Sequence, residues 1–277
     1  MIQNILFPVD FSPSCIGIAA YVKRAAAIFG SRVTLLHVYD LQSHNGFELY
    51  LRPPQEIAEE HWNIWRRRLD SFLNSEFPLT ECPRILRSGE PAEQIAELAR
   101  TGGFDLIIMP THAGRFRRML LGSTTAKVLN GANCAVMTAK YAEIMTPRPS
   151  EHREWLCAID LNGSSQRVLE LASRAAAAAS ARLSLVHVLQ NPGSAAQHDG
   201  NHEEEARHRM EELRESIGCE ATIHIVRGPV KDALLEAGKQ SGADVLIISK
   251  PYPKVTWRLG DLTYDVIRDS PFPVLSL

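Results

Sequence analysis

The chain carries one pattern twice. Phe7-Pro8-Val9-Asp10-Phe11-Ser12 returns as Cys157-Ala158-Ile159-Asp160-Leu161-Asn162, with the aspartates 150 residues apart. Leu35-Leu36-His37-Val38 returns as Leu185-Val186-His187-Val188 at the same offset of 150. Farther on, Gly103-Phe104-Asp105-Leu106-Ile107-Ile108 and Gly242-Ala243-Asp244-Val245-Leu246-Ile247 repeat at an offset of 139. The order is kept, and the second copy is about a dozen residues shorter. A duplication of this length implies two domains of one architecture. The join falls at Thr146-Pro147-Arg148-Pro149-Ser150, a proline-rich polar stretch of the kind linkers use. The expected domains are residues 1–146 and 152–277.

Each copy alternates strand-like and helix-like segments. In the first, Ile5–Val9 is a short apolar run, Ser12 and Pro13 form a helix start, and Gly30 marks that helix's end. Val33–Tyr39 is strand-like. Ile57, His61, Trp65, Leu69 and Phe72 follow helical spacing. Arg84–Arg87 is a short strand, and Pro91 opens a helix carrying Ile95, Leu98 and Ala99. Asp105–Met109 is an unbroken strand, Gly122–Leu129 begins a fourth helix, and Ala135–Ala139 is the fifth strand. The cleanest helix of the second copy puts Ala206, Met210, Leu213 and Ile217 on one face. Strands that are apolar throughout, alternating with helices, imply a parallel sheet covered on both faces. Such doubly wound sheets bind ligands beyond the C-terminal strand ends, where strand order switches. The chemistry is therefore expected just after Val9, Tyr39 and Met109, and after their counterparts.

Composition narrows the function classes. Lys and Arg number 30 against 32 Asp and Glu, a formal charge of −2, which argues against a dedicated nucleic-acid binder. With 45% hydrophobic and 22% charged residues, the chain is ordinary for a globular protein. Its apolar stretches are far shorter than the roughly 18–20 residues of a membrane span. Met1–Pro8 lacks the basic lead and cleavage site of a signal peptide. Five scattered cysteines without a C-x-x-C pair read as reduced cytosolic residues. A cytoplasmic protein with no membrane or nucleic-acid partner is expected.

One strand end stands out. After Met109 comes a loop, Pro110–Leu121, leading into Gly122-Ser123-Thr124-Thr125 at a helix start. Exposed amides at a helix N-terminus attract anions, and the hydroxyls add donors. Arg115, Arg117 and Arg118 could add charge-assisted contacts to phosphate. The plainer reading is a helix capped by Ser123 beside a solvated basic loop.

Taken in order, these motifs resemble the universal stress protein family. The carriers are Phe7–Ser12, Leu36-His37-Val38, Gly89-Glu90-Pro91, Met109 with Thr111-His112, Leu120-Leu121-Gly122-Ser123, and Cys134-Ala135-Val136. They cover the whole first copy, and weaker motifs cover the second. The resemblance implies an α/β fold of two tandem Rossmann-like domains. Each would be a five-stranded parallel sheet of order 3-2-1-4-5 with helices on both faces. It also implies ATP or ADP, alone or with Mg, in the first domain. Asp10 would meet the ribose and the backbone at Val38 the adenine, with Met109 and His112 flanking the nucleotide. Gly122, Ser123, Thr124 and Thr125 would receive the phosphates, and Pro8 and Gly114 complete the set. Family domains pair through their last strands, here near Ala135–Ala139 and Val274–Leu277. This implies pairing within the chain, with a homodimer also open.

The sequence departs from the ATP binders' loop, G-x2-G-x9-G-[ST]. Pro110 holds the first glycine position, and Ala113 or Gly114 holds the second. The phosphate end is intact while the lead-in is altered. In the second copy, Gly260 is followed by Asp261, a carboxylate that repels phosphate and can itself cap the helix. No nucleotide is expected there. Two functions follow: a nucleotide-binding regulatory or protective module with an unidentified protein partner, or an interaction protein with both sites degenerate. An enzyme, at most a slow ATPase, has only His112 as a candidate in the loop, and no Walker-type lysine follows the glycines.

The remaining features have plain readings beside sharper ones. His37 and His187 occupy equivalent strand positions, as core histidines bonded to a neighbour or as a site. His198, His202 and His208 lie among acids, as a solvated helix start or a metal cluster. Trp62 and Trp65 beside Arg66–Arg68 suit an amphipathic helix with one buried Trp, or a binding patch. Cys15 stands near a helix N-terminus, which would favour a thiolate.

Overall fold

The computed structural model describes residues 2–39, 54–111, 121–140, 153–190, 199–250 and 262–277. The chain divides into two compact units, Ile2–Val136 and Met137–Leu277. The first copy supplies β1 (Asn4–Pro8), α1 (Pro13–Phe29), β2 (Arg32–Tyr39), α2 (Pro54–Ser71) and β3 (Arg84–Ser88), followed by α3 (Pro91–Thr101), β4 (Leu106–Pro110), α4 (Ser123–Gly131) and β5 (Ala135–Ala139). Its strand order is β3-β2-β1-β4-β5. β1 pairs in parallel with β2 and β4, and β2 with β3, so that Ile5 stands opposite both Val33 and Leu106.

The local signals act as their chemistry dictates. Ser12 accepts the Cys15 N–H, Pro13 fills the first turn of α1, and Gly30 ends the helix at φ 64°, a left-handed conformation that glycine adopts without a Cβ clash. Ile5, Leu6 and Phe7 on β1 and Leu106, Ile107 and Ile108 on β4 are all fully buried. Neighbours on opposite faces are buried alike, so both faces of the sheet are covered.

β4 starts one residue later than the apolar run suggests. Asp105 instead accepts the backbone N–H groups of Gln3 (2.8 Å) and Asn4 (3.0 Å), fastening the entry of β1 to that of β4. Asp244 repeats the device on the Glu154 N–H at 3.0 Å. α2 ends at Ser71, so Phe72 lies just past it, although its N–H still closes a turn onto the Arg68 carbonyl. Neither tryptophan of α2 is fully buried: Trp62 is 43% exposed and Trp65 is half-buried.

The second copy supplies β6 (Glu154–Ala158), α5 (Ser165–Ala178), β7 (Arg182–Leu189), α6 (Asp199–Ile217), β8 (Ala221–Arg227), α7 (Val230–Gln240), β9 (Val245–Ile248), α8 (Leu262–Asp269) and β10 (Val274–Ser276). Its order is β8-β7-β6-β9-β10, the same topology. β6 pairs in parallel with β7 and β9. On α6, Ala206 and Met210 are buried, while Leu213 and Ile217 are half-buried. The joining residues Thr146–Ser150 lie outside the described residues. No described helix is long and apolar enough to cross a membrane.

Candidate functional site

In the first copy the strand order reverses between β1 and β4, because β1 continues to β2 on one side and β4 lies on the other. A crevice at the C-terminal ends of such a pair is where this topology leaves room for a ligand. Here it is a cavity of about 380 Å³, within the range of small-molecule sites.

Two chain turns build its polar rim. At the end of β1 the chain bends sharply. The Asp10 Oδ1 accepts the Ser12 N–H at 2.9 Å and the Cys15 thiol at 3.1 Å, and Phe11 is forced to φ 61°. A bulky residue in this conformation is strained. Aromatic packing holds Phe11 there. Its ring lies 4.3 Å from His37, 5.9 Å from Trp65 in a stack and 5.0 Å from Phe72 edge-on, with the Arg68 guanidinium 4.5 Å from its centroid. His37 Nδ1 stands 2.8 Å from the Val9 carbonyl. A carbonyl only accepts, so Nδ1 carries the proton. Nε2 is buried without a hydrogen-bond partner. Burial lowers the His37 pKa against the opposing effect of the Val9 carbonyl, and Arg68 adds to the lowering.

At the end of β4 the ends of the following loop are tied together. The Gly122 N–H donates to the Thr111 carbonyl at 2.9 Å, and the Thr125 hydroxyl donates to the Pro110 carbonyl at 3.0 Å. α4 then begins with Gly122 as its cap, and no side chain caps it. Ser123 is the first helical residue, not the cap that the plainer sequence reading assigns to it. Glycine supplies no cap oxygen, so the first-turn amides keep their capacity for an outside acceptor.

The cavity is lined by Pro8, Asp10, Val38, Met109, Gly122, Ser123, Thr124 and Thr125, which are all the described members of the sequence-derived set. His112, Gly114, Arg115, Arg117 and Arg118 lie outside the described residues. Pro110, Leu36, Pro91, Ile95 and Leu121 also contribute walls. Ile95 reads in the sequence only as helix core, because nothing local reveals that the start of α3 stands beside the β1–β4 crevice. Thr125 is buried and spends its hydroxyl on Pro110, so its amide is what remains for a ligand. Cys15 lines the cavity too, but not as the thiolate its place near a helix start suggests. Burial, and then the Asp10 carboxylate beside it, push the thiol far above its ordinary pKa.

The second copy repeats the first turn. Asp160 Oδ1 accepts the Asn162 N–H at 3.3 Å and the Ser165 hydroxyl at 2.9 Å, Leu161 takes φ 56°, and His187 Nδ1 stands 2.7 Å from the Ile159 carbonyl. Gly260 and Asp261 lie outside the described residues. Of the acidic helix start, His198 is outside as well, while His208 faces Glu212 at 3.2 Å in the open. No cluster of His, Cys, Asp and Glu among the described residues could hold a metal.

Comparison with known proteins bears on the whole chain. The model of the Universal stress protein family matches residues 1–140 and again 152–277. A universal stress protein of Methanocaldococcus jannaschii is 29% identical over 155 residues, which is 50% of this chain and 96% of that protein. A solved universal stress protein of Archaeoglobus fulgidus has a TM-score of 0.69 at 21% identity, covering 99% of this chain and 96% of its own. A structure from Pseudomonas aeruginosa has a TM-score of 0.63 at 19% identity, covering 100% and 93%. At these identities the solved structures speak to the fold alone. With the family model matched once by each copy, the chain belongs to the universal stress protein family as a tandem two-domain member.

Proposed function

We propose that the first copy binds an adenine nucleotide, ATP or ADP, alone or as its magnesium complex. The observation that carries this reading is that the uncapped start of α4 and the Asp10 carboxylate line one cavity. A nucleotide has matching parts. Its phosphates suit the amides of Ser123, Thr124 and Thr125. Its ribose hydroxyls suit a carboxylate acceptor, and its base suits the apolar wall of Val38, Ile95 and Met109. The second copy, with Asp261 where the first has Ser123, takes none.

Binding then acts as a regulatory or protective switch, since a ligand that binds only the folded state stabilises it. At a hundredfold excess over Kd the gain is about 2.7 kcal/mol. The five cysteines, odd in number, scattered and without a C-x-x-C pair, support placing this switch in a reducing cytoplasm.

The test is to purify the protein without added nucleotide, denature it, and identify what is released by mass spectrometry. ATP or ADP near one per chain is the expected result. Nothing released, and no thermal shift with ATP and magnesium, would assign the chain instead to nucleotide-independent protein interaction. Pro110, which has no N–H to offer at the cavity wall, would then be the first residue to suspect.

A further inference from the structure

We propose that Cys15 is a positioning residue for the nucleotide site: its thiol holds the Asp10 carboxylate in the orientation that receives the ribose hydroxyls. The inference rests on the nucleotide reading above and adds a residue to it. Asp10 stands at the exposed lip of the cavity, where an unrestrained side chain would sample several rotamers. Two donors converge on its Oδ1, the Ser12 N–H at 2.9 Å and the Cys15 S–H at 3.1 Å. Oδ2 receives no hydrogen bond from the described residues. A carboxylate fixed through one oxygen presents the other without first losing rotamer freedom, and such preorganisation raises affinity.

The second copy argues against a packing accident. There the residue five after the strand-end aspartate is Ser165, and its hydroxyl makes the same bond to Asp160 Oδ1 at 2.9 Å. Both residues are buried, Cys15 at 1% and Ser165 at 4% exposure. Cysteine and serine share little at a buried position beyond small size and one donor hydrogen. Keeping the thiol protonated is what the donor role requires, and burial beside a carboxylate keeps it so.

The experiment titrates ADP and 2′,3′-dideoxy-ADP into the wild-type protein, Cys15→Ser and Cys15→Ala, with thermal unfolding to verify the fold of each. Cys15→Ala is expected to weaken ADP roughly three- to tenfold, while Cys15→Ser stays within about twofold of the wild type, the hydroxyl being the stronger donor. The dideoxy ligand, lacking the hydroxyls that Asp10 would accept, should bind all three proteins alike. Wild-type affinity for ADP in Cys15→Ala would overturn the proposal and leave the nucleotide reading standing. Equal loss of both ligands would also overturn it, by showing a general packing role. No ADP binding by the wild-type protein would remove the nucleotide reading itself. Should Cys15→Ala fail to fold, Cys15→Thr and Cys15→Val, alike in shape and differing in the hydroxyl, repeat the comparison.

Discussion

The Thr125 hydroxyl donates to the Pro110 carbonyl across 3.0 Å in the buried floor of the cavity, joining the first turn of α4 to the last residue of β4. Thr125→Val keeps the shape and removes the donor. It should cost about 1–2 kcal/mol of stability in urea unfolding, and it should weaken ADP because the amides of α4 lose their anchor. Thr125→Ser should retain both properties. A valine variant as stable as the wild type would show that the bond anchors nothing.

Phe11 at φ 61° gives an unusual order of substitution. Glycine suits this conformation and alanine does not, by about 1 kcal/mol. Phe11→Ala and Phe11→Gly both lose the contacts to His37, Trp65 and Phe72, at a cost of about 2–4 kcal/mol. Between the two, the glycine variant should be the more stable, the reverse of the order in a helix. Chemical denaturation of the pair decides it, and an alanine variant at or above the glycine one would rule out strain at this turn.

His37 predicts a pH dependence. Burial lowers its folded pKa from the ordinary 6.5. As pH falls below that value the unfolded chain takes up a proton and the folded chain resists, so stability drops between the ordinary value and the lowered one. Above 6.5 the residue is neutral in both states and contributes no slope. His37→Asn keeps an amide donor for the Val9 carbonyl without titrating. Its stability relative to the wild type should rise between pH 7 and pH 5; parallel curves would show that His37 is not the group responsible.

Asp105 bonds two backbone amides, those of Gln3 and Asn4. Truncation leaves the amides to part-exposed surroundings, at about 1 kcal/mol for each bond lost. Asp105→Ala should therefore destabilise the protein by about 2 kcal/mol in urea unfolding. Amide hydrogen exchange should locate the effect at the entry of β1, and unchanged protection there would show that Asp105 fastens nothing.

What the sequence reveals, and what it hides, follows from the range of each interaction. The Ser12-Pro13 start of α1 and its Gly30 end depend on a few adjacent residues and stand as read, while the apolar run of β4 is kept but shifted by one residue, to Leu106–Pro110. The Asp10, Val38 and Gly122–Thr125 set is legible because topology alone brings three strand ends to one crevice. Phe11 is hidden because no turn signal calls for an aromatic residue at positive φ; only its long-range packing holds it. Asp105 is hidden because its partners lie about a hundred residues away and become neighbours only when β1 and β4 pair. Cys15 is half-legible. Its place at a helix start shows in the sequence, but the burial and the carboxylate that keep it protonated do not.

Gly122 offers the most direct test of nucleotide binding. A Cβ there would meet only ordinary contacts, the Thr111 carbonyl oxygen at 3.4 Å and the Thr125 hydroxyl at 3.5 Å, so Gly122→Asp should fold. Its carboxylate would cap α4 and fill the place of a phosphate. Calorimetric titration of ADP and of ATP with magnesium into wild-type and Gly122→Asp protein should give one equivalent per chain for the first and none for a stably folded second. No binding by the wild type, or undiminished binding by Gly122→Asp, would contradict the placement of the phosphates at the start of α4.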